Sequence, residues 1–89
     1  MAYLTPAQRD ILTRLSKGGE IILEYRWHSW DVYRYHWQGS DETVSKNSMN
    51  VLYEREYVTS HYRHFTAAGR AAECVKLTVD GHIALMKGK

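Results

Sequence analysis

The stretch KGGEIILEYRWHSWDVYRYHW, Lys17 to Trp37, decides the fold. Lys17-Gly18-Gly19 is a helix stop, because a basic last turn suits the negative helix end and glycine tolerates the left-handed backbone that closes it. From Glu20 the chemistry changes. Ile21, Ile22, Leu23, Tyr25 and Val32 are strand formers and aromatic rings crowd the run to Trp37, so two strands are predicted, at 20–27 and 32–38. His28-Ser29-Trp30-Asp31 reads as the reversal between them. Side chains alternate along a strand, which puts Tyr33, Tyr35 and Trp37 on one face of the second strand and Val32, Arg34 and His36 on the other. Six of the chain's eleven aromatic residues fall between Tyr25 and Trp37.

Upstream, Thr5, Pro6 and Gln8 have the form of a capping box with proline at the first helical position. Ile11, Leu12 and Leu15 recur behind it at helical spacing, which predicts a first helix over 6–17. Downstream, Gln38 to Glu42 reads as a polar loop. Val44, Met49, Leu52 and Tyr53 then fit a second helix over 45–56, capped by Thr43 or Ser45. Tyr57-Val58-Thr59 resumes extended structure, Ser60 to His64 reads as its turn, and Phe65 leads back inward to complete a small hairpin. Thr66 as a cap and the alanines at 67, 68, 71 and 72 predict a short third helix over 66–74. Asp80-Gly81, between Leu77-Thr78-Val79 and His82-Ile83-Ala84-Leu85, is the strongest short hairpin signal in the chain. A hairpin over 76–86 and a frayed tail complete the expected architecture, one α+β domain over 1–89.

The composition narrows the function classes. At 89 residues, with 44% hydrophobic and 25% charged content, the chain has the make-up of an ordinary folded domain with a single core. The lone Cys74 can form neither an internal disulfide nor a cysteine-rich zinc site, so a reducing cytoplasm is the simplest expected setting. No apolar run reaches the roughly 18 residues of a membrane span, and the amino terminus lacks the pattern of a secretory signal. Twelve Lys and Arg against ten Asp and Glu leave a formal charge of +2, a mild basic excess. Neither the flanked nucleophile and base of covalent catalysis nor a phosphate-cradling glycine loop occurs, so no enzyme and no cofactor are expected. His61 and His64 lack a third ligand, so no metal is expected either.

Three phrases carry a family resemblance. LTPAQRDILTRLSKGG resembles the opening helix of small bacterial and phage winged helix-turn-helix regulators. VSKNSMNVLYEREYV resembles their recognition helix running into the wing, and FTAAGRAAE their wing-to-helix ending. The resemblance covers about 1–74, leaving 75–89 for the terminal hairpin and tail. Lys17-Gly18-Gly19-Glu20-Ile21 is also similar to the YjhX-type toxin family, in which the same ending to helix one leads into a β-hairpin, a single helix and a wing. The implied fold is winged-helix-like, in the order helix, β-hairpin, helix, wing hairpin, short helix. The aromatic hairpin from Glu20 to Gln38 stands where a winged-helix protein carries the helix before its recognition helix.

On that resemblance the expected function is DNA binding, as a transcriptional regulator acting as a homodimer on double-stranded DNA. The second helix would enter a major groove by its amino-terminal turns, where Lys46, Asn47, Ser48 and Asn50 project. Asn pairs bidentately with adenine, and Lys and Ser suit guanine or phosphate. At the expected wing tip, Arg63 would hold phosphate or enter a minor groove, with His61 and His64 beside it. Solvated helix starts and polar turns have the same composition. Tyr25, Trp27 and one face of the second strand are expected in the core, while Trp30, Tyr33, Arg34, Tyr35, His36 and Trp37 are candidates for a protein interface, being the residue types that anchor such seams, so the hairpin is open between core, dimer seam and partner site. The alternative function, in line with the toxin resemblance, is a protein-binding inhibitor or toxin that does not read DNA.

Overall fold

The computed structural model describes residues 4–27, 29–67 and 69–87. His28, Ala68, Gly88 and Lys89, expected in the reversal, the short third helix and the tail, lie outside them. The chain runs α1 (Pro6–Ser16), β1 (Ile21–Tyr25), β2 (Val32–Trp37), β3 (Thr43–Val44), α2 (Lys46–Glu54), β4 (Val58–Phe65), β5 (Ala71–Leu77) and α3 (Val79–Lys87). The five strands form one antiparallel sheet in the order β3-β2-β1-β5-β4.

Local chemistry sets the first two helices as the sequence foretells. The Thr5 side chain accepts from the Gln8 amide while the Gln8 side chain accepts from the Thr5 amide, both at 3.1 Å. The first helix ends through Gly18, at φ 98°, and Gly19, whose amide donates to the Arg14 carbonyl. A Cβ on Gly19 would come within 2.8 Å of that carbonyl oxygen and 3.2 Å of the Trp37 ring, so the reversal needs glycine there. Ser45 caps α2 by accepting from the Ser48 amide.

Register then decides what is buried. Ile21 pairs with Trp37 on one side and Val75 on the other, and Leu23 pairs with Tyr35, so these side chains share one face. That face meets Ile11, Leu12 and Leu15 of α1 and Met49 and Leu52 of α2 in a single core. The opposite face carries Ile22, Glu24, Arg34, His36, Ala72 and Cys74. Central strand β1 is buried on both faces, and Glu24 is buried with it, 3.0 Å from Arg34 Nε and 3.3 Å from His36 Nε2.

The winged-helix expectation is corrected. A strand, β3, leads into α2, and the carboxyl-terminal half has different elements from those expected. Residues 66–74 form a tight turn and then strand β5, not a helix. The Thr66 amide donates to the Arg70 carbonyl, the Gly69 amide to the Thr66 carbonyl, and Gly69 stands at φ 83°. Alanine's helix preference is outweighed by strand pairing, with Ala72 fully buried between Glu24 of β1 and His64 of β4. Ser60 to His64 are accordingly inside β4, not at a turn.

The hairpin expected over 76–86 is also absent, and α3 takes its place. Thr78 Oγ1 accepts from the Gly81 amide, so Thr78 caps this helix. A Cβ on Gly81 would collide with the Tyr57 carbonyl oxygen and crowd the Leu77 side chain. Gly81 serves close packing rather than a turn. Helix α3 packs against α1. Among the described residues no helix is long and apolar enough to cross a membrane.

Candidate functional site

Ala72 pairs with Glu24 on one side and His64 on the other, so β1 and β4 run in the same direction and end level with each other. The loop after β1 and the turn after β4 therefore meet at one end of the sheet. The Arg26 amide donates to the Asp31 carbonyl and the Asp31 amide to Ser29 Oγ, which folds the first loop compactly. The amino end of α2 joins them, because Lys46 Nζ donates to the Val32 carbonyl at 3.3 Å.

Between loop and turn lies a cleft of about 300 Å³, lined by Arg26, Trp27, Ser29, Trp30, Arg63, Phe65, Gly69, Arg70 and Ala71. Its rings are open to solvent, with Trp27 52%, Trp30 66% and Phe65 72% exposed. Trp27, expected in the core, and Phe65, expected to point inward, are thus surface groups. No Asp or Glu is among the lining residues.

The rings are held in place. Trp30 stands edge-on to Tyr25, with centroids 5.4 Å apart and planes at 85°. The Arg63 guanidinium lies 4.3 Å over the Trp30 ring and donates to Glu73 Oε2 from Nε at 3.2 Å and Nη2 at 2.8 Å. The Tyr25 hydroxyl donates to Glu73 Oε1 at 3.0 Å. Tyr25, Trp30, Arg63 and Glu73 therefore close a ring of contacts across β1, its loop, β4 and β5. Burial pushes the Glu73 carboxyl up, but hydrogen bonds from Arg63, Ser60 and Tyr25 outweigh it and hold the group below its ordinary range. Burial, then Glu73 itself, raises the Tyr25 hydroxyl. Across the end, the Arg70 guanidinium stacks 4.1 Å from the Tyr33 centroid. Gly69 is the hinge of this arrangement, because a Cβ there would lie 2.7 Å from the Trp27 ring.

The structure distributes the sequence candidates unevenly. Lys46 and Arg63 come to the cleft end, and Asn47 and Asn50 are exposed on α2 with Ser48 half-buried beside them. His61 and His64 lie on the opposite sheet face, opposite Cys74 and Ala72. Of the interface candidates, Trp30 and Tyr33 are exposed, whereas Tyr35 and Trp37 are core residues, 3% and 5% exposed. Arg34 and His36 are turned to Glu24. Neither a protein-family model nor a curated protein nor a solved structure matches this chain.

Arg26, Trp27, Phe65 and Arg70 escaped the sequence reading. The aromatic crowding around Trp27 was a visible signal. For Arg70 the signal was Thr66 followed three residues later by glycine, a turn pattern that competes with helix. Among the described residues no group of three or more His, Cys, Asp or Glu side chains gathers as a metal site would require.

Proposed function

We propose that this chain is a small nucleic-acid-binding protein that grips its ligand with the end of the sheet where Arg26, Arg63, Arg70 and Lys46 converge. The observation that carries the reading is the acid-free lining of the cleft, three arginines interleaved with three exposed aromatic rings. Arginines neutralise phosphates and release counterions, while aromatic rings give planar surfaces that phosphate contacts alone do not need. The amino end of α2 adds Lys46, Asn47 and Asn50 as further polar contacts on the flank. The modest charge of the whole chain is compatible with this, because four of its twelve Lys and Arg, namely Arg26, Lys46, Arg63 and Arg70, stand at this one end.

The test is titration of labelled oligonucleotides at 50 and 200 mM salt. Neutralising about three phosphates predicts a loss of affinity of roughly 20- to 40-fold between the two. No binding at the lower salt would remove the reading. A second reading, a protein-binding inhibitor or toxin, is favoured by the exposure of Tyr62 in addition to that of Trp30 and Phe65, since aromatic residues with arginine are the usual anchors of protein interfaces. It predicts retention of one stoichiometric protein after nuclease treatment, abolished by Trp30→Ala with Arg63→Ala.

A further inference from the structure

We infer that the cleft takes the unpaired bases of single-stranded nucleic acid, with a base stacked against Trp27 and Phe65 and the flanking phosphates on Arg26 and Arg70. This rests on the nucleic-acid reading and specifies the form of the ligand.

Three observations carry it. The rings lining the cleft are exposed, and a paired duplex offers them nothing to stack on, because its bases are already stacked on one another. A splayed strand presents a π-face at every base, whatever its sequence. Secondly, two of the rings, Trp27 and Trp30, are braced before any ligand arrives. Trp27 lies against the turn at Gly69, and Trp30 is held between Tyr25 and Arg63, so little side-chain freedom is lost on binding. Thirdly, the arginines do not all stand equal. Arg63 is committed to Glu73 and Trp30 and Arg70 leans on the Tyr33 ring, a placement that leaves their guanidinium planes beside the cleft and favours a ligand that is both planar and anionic. An unpaired nucleotide is both, whereas a groove-bound duplex uses only the charge.

The experiment follows quenching of the intrinsic tryptophan fluorescence of the full chain at 50 mM salt. The ligands are a ten-residue oligothymidylate, a blunt duplex of ten base pairs, and free thymidine monophosphate. The single strand should quench and bind at least tenfold more tightly than the duplex, with the mononucleotide far weaker. Phe65→Ala, at an exposed position, should weaken the single strand roughly tenfold and the duplex by far less. Trp27→Phe should retain most of the affinity that Trp27→Ala loses. Duplex bound as tightly as the strand, with Phe65→Ala neutral, would overturn this inference while leaving nucleic-acid binding standing. Mononucleotide binding equal to that of the strand would overturn it in favour of a free-nucleotide site. No binding by any of the three would overturn both readings.

Discussion

Glu73 accepts hydrogen bonds from three residues, and through Arg63 and Tyr25 it fixes the orientation of the Trp30 ring. Its carboxyl is held below its ordinary range in the folded protein. The stability this gives is fully present above the ordinary carboxylate range and is lost as pH falls through the lowered folded value. The difference in urea midpoint between the natural chain and Glu73→Gln should therefore be largest near neutral pH and shrink as pH drops below about 4. An unchanged difference across that window would show that Glu73 acts by shape rather than charge. Gly69 offers a second test at this scale. Its positive φ costs an L-residue about 1–2 kcal/mol, and the ring of Trp27 occupies the space a Cβ would take. Gly69→Ala should lower stability by at least that amount in urea unfolding and shift the tryptophan emission, because Trp27 must move.

At the scale of elements, α3 shows how packing overrides a turn signal. Asp-Gly is a strong hairpin signal, and an alanine in place of a helical glycine ordinarily gains about 1 kcal/mol. In α3 the reverse is expected. Gly81→Ala pushes a methyl group into the Tyr57 carbonyl and Leu77, so it should destabilise by about 1–3 kcal/mol, the usual range for overpacking. Thermal unfolding distinguishes the two signs. Thr78→Ala removes the hydroxyl that caps α3 and that also donates to the Glu56 carbonyl at 2.6 Å, and it should cost about 1 kcal/mol or slightly more. Strand β5 carries the same lesson. Its alanines favour helix in isolation, but strand pairing with β1 and β4 outweighs that preference, with Ala72 fully buried between them.

The whole molecule is a sheet with two unlike faces and one end that carries the proposed site. Helices cover one face, and the buried Glu24 with Arg34 and His36 organises the other. Removing Arg34 leaves a buried carboxylate with less compensation, so Arg34→Met should destabilise while sparing oligonucleotide affinity. Arg70→Glu should do the opposite, cutting affinity roughly tenfold or more at low salt with little change in unfolding midpoint. Together the two variants separate the face that stabilises from the end that binds.

Much of the first half was legible because local chemistry governs it. The Thr5 capping box, the Gly18-Gly19 stop, the aromatic hairpin and the Ser45 cap depend on neighbours a few residues away, and all four are present as the sequence foretells. Lys46 and Arg63 were also visible, but not the reason they meet, since that depends on Ala72 aligning the ends of β1 and β4. The second half was decided by tertiary structure. Residues 66–74 and 76–86 carry local signals for helix and hairpin, and each became the other kind of element because of what lies beside it. The exposure of Phe65 was likewise fixed by its register opposite Ala71, and that of Trp27 by the loop that follows β1. The sequence by itself determined the capping box of α1, its Gly18-Gly19 stop and the aromatic hairpin that follows. Long-range pairing determined which rings stay exposed, because burial depends on partners that sequence spacing does not specify.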